Sequence, residues 1–329
     1  MKKIFLSLFA FLLTMPMVHA AKDHMVYQGK AGPGKGKHIV FLSGDEEYRG
    51  EEGLPMLAKV MSQRHGFKCT VLFSLNNKGE IDPNNQQSLS HPQALDSADA
   101  IIMLLRFRRW GDTTNKHFNE ACNRGVPIIG LRTSTHAFNG KLRGFGKRVL
   151  GEGWVSHWGH HKHEACRGVI EPGAEKDSIL NGVTDVFADS DVYEAYPPKD
   201  VKILMRGLVL ENMKPDSKPS TRDRKKDRPI NDPAMAVAWT RNYKWPSGKT
   251  SRIFCSTMGA ATDLQSEGLR RMIVNATYAG LEMKVPKKAN VDYIDPYKPL
   301  FYGFNSFRRG IKPADHALGK VLPAGTKKK

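Results

Sequence analysis

Acidic, basic and imidazole side chains gather in four short stretches of this 329-residue chain, three of them directly after an apolar run. Asp45-Glu46-Glu47-Tyr48-Arg49 follows the run His38 to Leu42. Glu46 and Glu47 are candidate general bases, because neighbouring arginines would keep a carboxylate ionised there. Tyr48 and Arg49 are candidate substrate contacts beside them. The competing role for the acids is charge complementarity at the start of the helix that follows. Arg106, Arg108 and Arg109 follow the apolar run Asp99 to Leu105. A guanidinium there could clamp a carboxylate or phosphate, or hydrogen-bond sugar hydroxyls, and some of the three would pair with the acidic turn instead.

The third stretch, Arg132-Thr133-Ser134-Thr135-His136, ends the run Gly125 to Leu131. Arg132 and His136 are candidate catalytic residues, with Thr133 as a substrate contact. Ser134 beside His136 invites a hydrolase reading, yet a nucleophile elbow needs a G-x-S-x-G pattern that these residues lack. The fourth stretch supplies His157, His160, His161 and His163, with Cys166 nearby. Neutral imidazoles suit zinc or another divalent transition metal, with a carboxylate such as Glu46 or Glu47 completing the set. The spacing matches no established zinc signature, and histidines hydrogen-bonded at the surface beside Trp154 and Trp158 are the plainer alternative. No GxGxxG and no phosphate-binding glycine loop is present, so a nucleotide cofactor has no visible seat.

The elements that would position these turns follow from the apolar pattern. Strand His38–Leu42 leads to a helix with Leu54, Leu57 and Met61 on one face and Gly66 as its stop. A strand over Phe67 to Phe73 and a polar connection over Asn76 to His91 come next. Strand Asp99–Leu105, a helix over Thr114 to Asn123 and the strand ending at Leu131 complete a β-α-β-loop-β-α-β order. Continuous apolar strands separated by helices predict a parallel sheet covered on both faces, with ligands beyond the carboxyl ends of its strands. Short strands at Gly168 to Glu171 and Val201 to Leu210 follow, then a polar surface excursion from Lys214 to Pro233. Ala236–Tyr243 and Ser251–Thr257 read as a hairpin, which adds antiparallel strands. A helix from about Ser266 to Leu281 buries Leu269, Met272, Ile273 and Ala276, with a capping box over Thr262 to Gln265.

Residues 1–20 read as a secretory signal peptide: Lys2 and Lys3, an apolar run, then Val18-His19-Ala20. The expected organisation is a loose lead-in over 21–37, one domain over 38–284 and an extended tail over 285–329. No later stretch is long and apolar enough to span a bilayer, so an exported protein is expected, periplasmic or secreted. The formal net charge of +18 favours anionic partners. Export argues against nucleic acid and for an anionic glycan, while a solvated basic surface is the plainer reading. Cys69, Cys122, Cys166 and Cys255 show no CxxC spacing, and no pairing follows from the sequence.

The chain resembles the ThuA-like (trehalose-utilisation) family in the segments SGDEEYRGEE, LRFRRW, GVPIIGLRTSTHAF, KDSILNGVTDVFADSDVYEAYP, VAWTRNY and SRIFCSTMGAATDL, in that order. The resemblance covers about His38 to Leu281. It implies a flavodoxin-like three-layer α/β sandwich of the class I glutamine amidotransferase-like type, with a mostly parallel sheet and added antiparallel strands. In amidotransferases the residue two after the position of Gly130 would be a nucleophilic cysteine; here it is Arg132, which cannot attack an amide. ThuA-like proteins commonly carry histidine there, so the chain departs from both patterns. The resemblance implies carbohydrate metabolism without glutaminase activity: a sugar, keto-sugar or other oxygen-rich small molecule is bound or transformed. The alternative is a non-catalytic module of the cell envelope that holds a glycan or anionic ligand.

Overall fold

The computed structural model describes residues 23–225 and 228–324; the signal-peptide reading falls outside them. In chain order the first half carries β1 (Met25–Tyr27), β2 (His38–Gly44), α1 (Gly50–His65), β3 (Lys68–Phe73), β4 (Ala100–Leu105), α2 (Asp112–Asn123) and β5 (Ile128–Leu131). The second half carries β6 (Ser156–His157), β7 (Cys166–Ile170), β8 (Phe187–Ala188), β9 (Tyr193–Glu194), β10 (Lys202–Val209), β11 (Asp223–Lys225), β12 (Arg228–Pro229), β13 (Met235–Lys244), β14 (Thr250–Ser256) and α3 (Glu267–Gly280).

Ten of these strands form one sheet in the order β1-β3-β2-β4-β5-β14-β13-β10-β7-β8. Its parallel part, β3-β2-β4-β5-β14, has the 2-1-3-4-5 order of flavodoxin-like sheets when its strands are counted along the chain. The antiparallel extension runs through β13, β10, β7 and β8, and the hairpin β13–β14 joins it to the parallel part. Alternation along each central strand decides what covers which face. Ile39, Phe41, Ile102 and Leu104 pack with α1 and α3 through Leu57, Met61, Leu269 and Met272. Val40, Leu42, Ile101 and Met103 face the other way, onto Phe118 of α2 and Leu95. The result is an α/β three-layer sandwich.

Local signals set the helix ends. Gly66, with φ 81°, closes α1 in the left-handed conformation and returns its N–H to the carbonyls of Met61 and Ser62. Ser266, and not a residue of the expected Thr262–Gln265 box, caps α3 by accepting from the Leu269 N–H. Thr262 instead donates to Asp189. The lead-in differs from expectation over Met25–Tyr27, which pairs with β3 as an edge strand. Tyr27 is buried there and donates its hydroxyl to the His316 carbonyl, because the tail crosses that edge. The four cysteines are buried free thiols. From residue 285 on, the chain runs as a strap over the α1 face, burying Ala289, Val291, Tyr302 and Ile311. No helix among the described residues is long and apolar enough to cross a membrane.

Candidate functional site

The carboxyl ends of β2, β4 and β5 lie side by side, and the turn after each holds one non-glycine residue in the left-handed region: Arg49 (φ 58°), Phe107 (φ 52°) and Arg132 (φ 44°). Such strain at bulky residues persists only where surrounding contacts over-determine the turn. Those contacts are visible here. Asp45 accepts from the N–H groups of Glu47 and Tyr48 and from the Thr133 hydroxyl, tying the β2 and β5 turns together. The Phe107 and Arg108 N–H groups donate to the carbonyls of His136 and Ala137.

Arg132 does not enter the cleft as a substrate ligand. Its guanidinium is fully buried, 2.9 Å from Asp191 Oδ1, and donates to the carbonyls of Asp191 and Thr257 and to the Tyr48 hydroxyl. It is sandwiched between the rings of Tyr193 (3.6 Å) and Tyr48 (4.6 Å). The reason is packing: a positive φ at the strand end turns the side chain beneath the turn, where Asp191 and two aromatic faces receive it. Thr133 and Ser134 are buried as well. Ser134 donates to the Met103 carbonyl and not to His136.

Above that buried base stands an imidazole network. His161 Nδ1 is 2.9 Å from Asp191 Oδ1 and His161 Nε2 is 3.1 Å from Glu47 Oε1. His157 Nδ1 is 2.7 Å from Asp191 Oδ2. Asp191 is fully buried; burial would raise its pKa, but Arg132 and the two imidazoles hold its carboxyl well below the ordinary range. His161 is pushed down by burial and, more strongly, up by its hydrogen bonds to Asp191 and Glu47, ending above its ordinary value. Burial pushes Glu47 up, but the His161 hydrogen bond and the charges of His161, Arg106 and Lys162 together bring it below its ordinary value. Both shifts favour a carboxylate facing an imidazolium.

The other predicted residues take different places. Glu46 Oε1 and Oε2 lie 2.8 Å from Arg106 and 2.8 Å from Arg108, so both oxygens are engaged. Arg108 is fully buried and also bonds the carbonyls of Pro83, Asn85 and Arg106; it holds the 82–88 loop in place. Arg49 is buried too, donating to the carbonyls of Glu46 and Gly303. Arg109 is exposed. Arg106 is half-buried between the rings of Phe107 (4.6 Å) and Phe304 (4.9 Å). Tyr48 lies buried under the network. His136 sits among Phe107, Trp154 and Tyr193, and burial together with the charges of Arg106 and Arg132 pushes its imidazole down to about 3. Of the four histidines offered as metal ligands, the structure brings together His157 and His161. His160 and His163 are exposed, and the His160 ring turns to Glu164.

Residues without a sequence expectation complete the cleft. Asp191 and Tyr193 come from the loop and strand before β10, and β9 pairs with β6 so that Tyr193 stands opposite His157. From the strap, Tyr302 packs on Tyr48 (5.1 Å) and His161 (5.6 Å), and the Gly303 N–H donates to the Glu47 carbonyl. The side chains around Glu47 that keep some surface open are Arg106, Phe107, His136, Trp154, His157 and His161, with Tyr302 buried against them. Two cavities, of about 400 Å³ beside Arg241 and Ala276 and about 350 Å³ between Pro55 and Tyr297, share no residue with the His161 network.

Among the described residues three sets of His and acidic side chains could hold a metal ion, and the one in this site is His157, His161 and Asp191, whose ligand atoms lie within 4.8 Å of one another. Two imidazoles and a carboxylate are a suitable zinc donor set. Their present separations are those of hydrogen bonds, and Arg132 already occupies one side of Asp191.

No family model and no curated protein matches the chain. Among solved structures, a protein named as ThuA-like from Parabacteroides merdae aligns at a TM-score of 0.48 and 12% identity, over 76% of this chain and 93% of that one. A protein so named from Bacteroides uniformis aligns at 0.46 and 14%, over 75% and 91%. The exo-β-1,4-mannosidase Op5Man5 of Opitutaceae bacterium strain TAV5 aligns at 0.31 and 12%, over 74% and 35%.

Proposed function

We propose that this chain is an exported ThuA-like protein whose cleft binds and transforms a carbohydrate or keto-sugar by proton transfer, with Glu47 as base and His161 as acid. The observation that carries the reading is His161 held between Glu47 and Asp191, which sets a carboxylate and an imidazolium side by side. A substrate oxygen entering between His161 Nε2 and Glu47 would take the imidazole N–H as donor and free the carboxylate to accept from an adjacent C–H or O–H. The aromatic rings of Phe107 and Trp154 suit the apolar face of a sugar ring, and Arg106 suits its oxygens. Arg132 acts from below, fixing Asp191 and so the tautomer and orientation of both imidazoles. Glutaminase chemistry has no place in this reading, because the elbow position carries a buried arginine.

The test is solvent deuterium exchange at the carbon next to the carbonyl of a 3-keto-glucoside, with calorimetry on the same ligand. Exchange that Glu47→Gln abolishes while binding persists supports the enzyme. Binding of sugar without exchange would leave the non-catalytic module instead, and no binding of neutral, oxidised or acidic sugars sinks both. A second reading rests on the His157–His161–Asp191 set: a bound divalent metal such as zinc would polarise the substrate oxygen. Stoichiometric metal in the purified protein that is lost in both His157→Ala and His161→Ala would favour it.

A further inference from the structure

The strand pair β6–β9 has two faces, and only one belongs to the cleft. His157 and Tyr193 point inward to the network, while Ser156 and Glu194 point the other way and are joined by a hydrogen bond of 2.6 Å from the serine hydroxyl. Around this outer face lie three of the large apolar side chains that the fold leaves open: Trp154 (39% exposed), Val155 (44%) and Tyr196 (46%). The Tyr196 hydroxyl donates to Glu194 and accepts from Arg228 at 3.2 Å. The ribbon β11–β12, part of the basic excursion, folds back onto this rim. Arg228 and Arg224 stack on the fully buried Trp158 at 4.4 and 5.5 Å, and Arg224 donates to the His157 carbonyl.

We infer that the rim formed by Trp154, Tyr196, Arg224 and Arg228 is a distal subsite for a further unit of an acidic oligosaccharide whose terminal unit occupies the cleft. The inference rests on the carbohydrate reading above and adds the ligand's charge and length. Three features carry it. Trp154 belongs to both places, since its ring touches His136, His157 and Tyr193 on the cleft side while remaining open on the other. An aromatic face beside guanidinium groups recognises a sugar ring that bears a carboxylate, by stacking and charge-assisted hydrogen bonds. Arg224 and Arg228, which donate to the His157 carbonyl and the Tyr196 hydroxyl, bring two positive charges to the rim, against the one carboxylate of Glu194 that the Tyr196 hydroxyl bonds. The excess of cations, +18 for the whole chain, adds long-range attraction for the same ligand.

Calorimetry with tetragalacturonate, cellotetraose and the monosaccharides galacturonate and glucose separates the alternatives. The wild type should bind tetragalacturonate about tenfold or more tighter than cellotetraose, with the advantage lost in about 1 M salt, where charges are screened within about 3 Å. Arg228→Gln and Tyr196→Ala should each remove most of that advantage and leave monosaccharide binding unchanged. Equal affinity for the charged and neutral tetrasaccharides, or wild-type affinity in both rim variants, overturns the subsite. Loss of monosaccharide binding alone would count against the cleft reading while the rim variants still decide the subsite.

Discussion

His161 Nε2 lies 3.1 Å from Glu47 Oε1, and the same imidazole is anchored from its other nitrogen by Asp191 at 2.9 Å. Each contact stabilises the charged form of its partner, which fixes how the pair should respond to pH. The raised His161 contributes stability that is complete below its unfolded value of 6.5 and disappears as pH rises through its folded value. The lowered Glu47 contributes stability present above 4.5 and lost as pH falls through its folded value. The ion pair is therefore whole in the interval that includes 4.5 to 6.5. In imidazole NMR titrations His161 should titrate above 6.5, and Glu47→Gln should move it down; an unmoved midpoint would break the link.

Removing Arg132 should be a stability defect before it is a binding defect. Arg132→Met leaves the buried Asp191 carboxylate facing two imidazoles without its principal counter-charge. Losing one partner of a buried pair costs about 3–5 kcal/mol. Urea unfolding near neutral pH should show a loss of that order. An unchanged midpoint with weakened ligand binding would return Arg132 to the role of a substrate clamp.

Glu51 should oppose alkaline stability. It is buried at the start of α1, neither oxygen has a hydrogen-bond partner, and Arg49 Nε stands 3.6 Å away. Burial pushes its carboxyl up to about 7. A carboxyl raised on folding costs stability as pH climbs from 4.5 to about 7, roughly 1.4 kcal/mol per unit at most. Glu51→Gln should match the wild type at acid pH and exceed it above neutrality. A constant difference across that range would show that Glu51 ionises normally.

His316 should weaken the strap in acid. Its ring is buried against Phe73, and burial, with Lys59 close by, pushes it down to about 3. The unfolded chain takes up the proton near 6.5, so stability falls as pH drops from there toward about 3. His316→Phe removes this dependence, and its stability relative to the wild type should rise on acidification. Parallel stability curves for the two proteins would refute the assignment.

Much of the architecture could be read from residue order. The apolar runs 38–42 and 99–105 alternate between two covered faces, and Gly66 stops α1 where its backbone needs φ above zero. The crowding of polar residues after three strands marked the site because those strands are neighbours. What the chain order hid was depth. Arg106, Arg108 and Arg109 are near-identical in sequence terms, yet one faces the cleft, one is buried in carbonyls and one is exposed, since a single φ of 52° at Phe107 redirects the chain between them. In the sequence Arg132 reads as a catalytic candidate at a strand end, with nothing to show that Asp191, 59 residues later, receives it. Asp191 and Tyr193 lay inside a family-like segment with nothing to mark their roles. Tyr302 lay in a tail with no periodic pattern to place it.

The strap contact with Glu47 and His161 has a consequence for biosynthesis. Glu47 leaves the ribosome more than 250 residues before Tyr302 and Gly303, so the acid and its imidazole partner wait uncovered while the sheet between them is made. The cleft is assembled last. A nascent chain carries no finished site, and a product cut before residue 300 would keep the sheet order while losing the wall over its reactive pair.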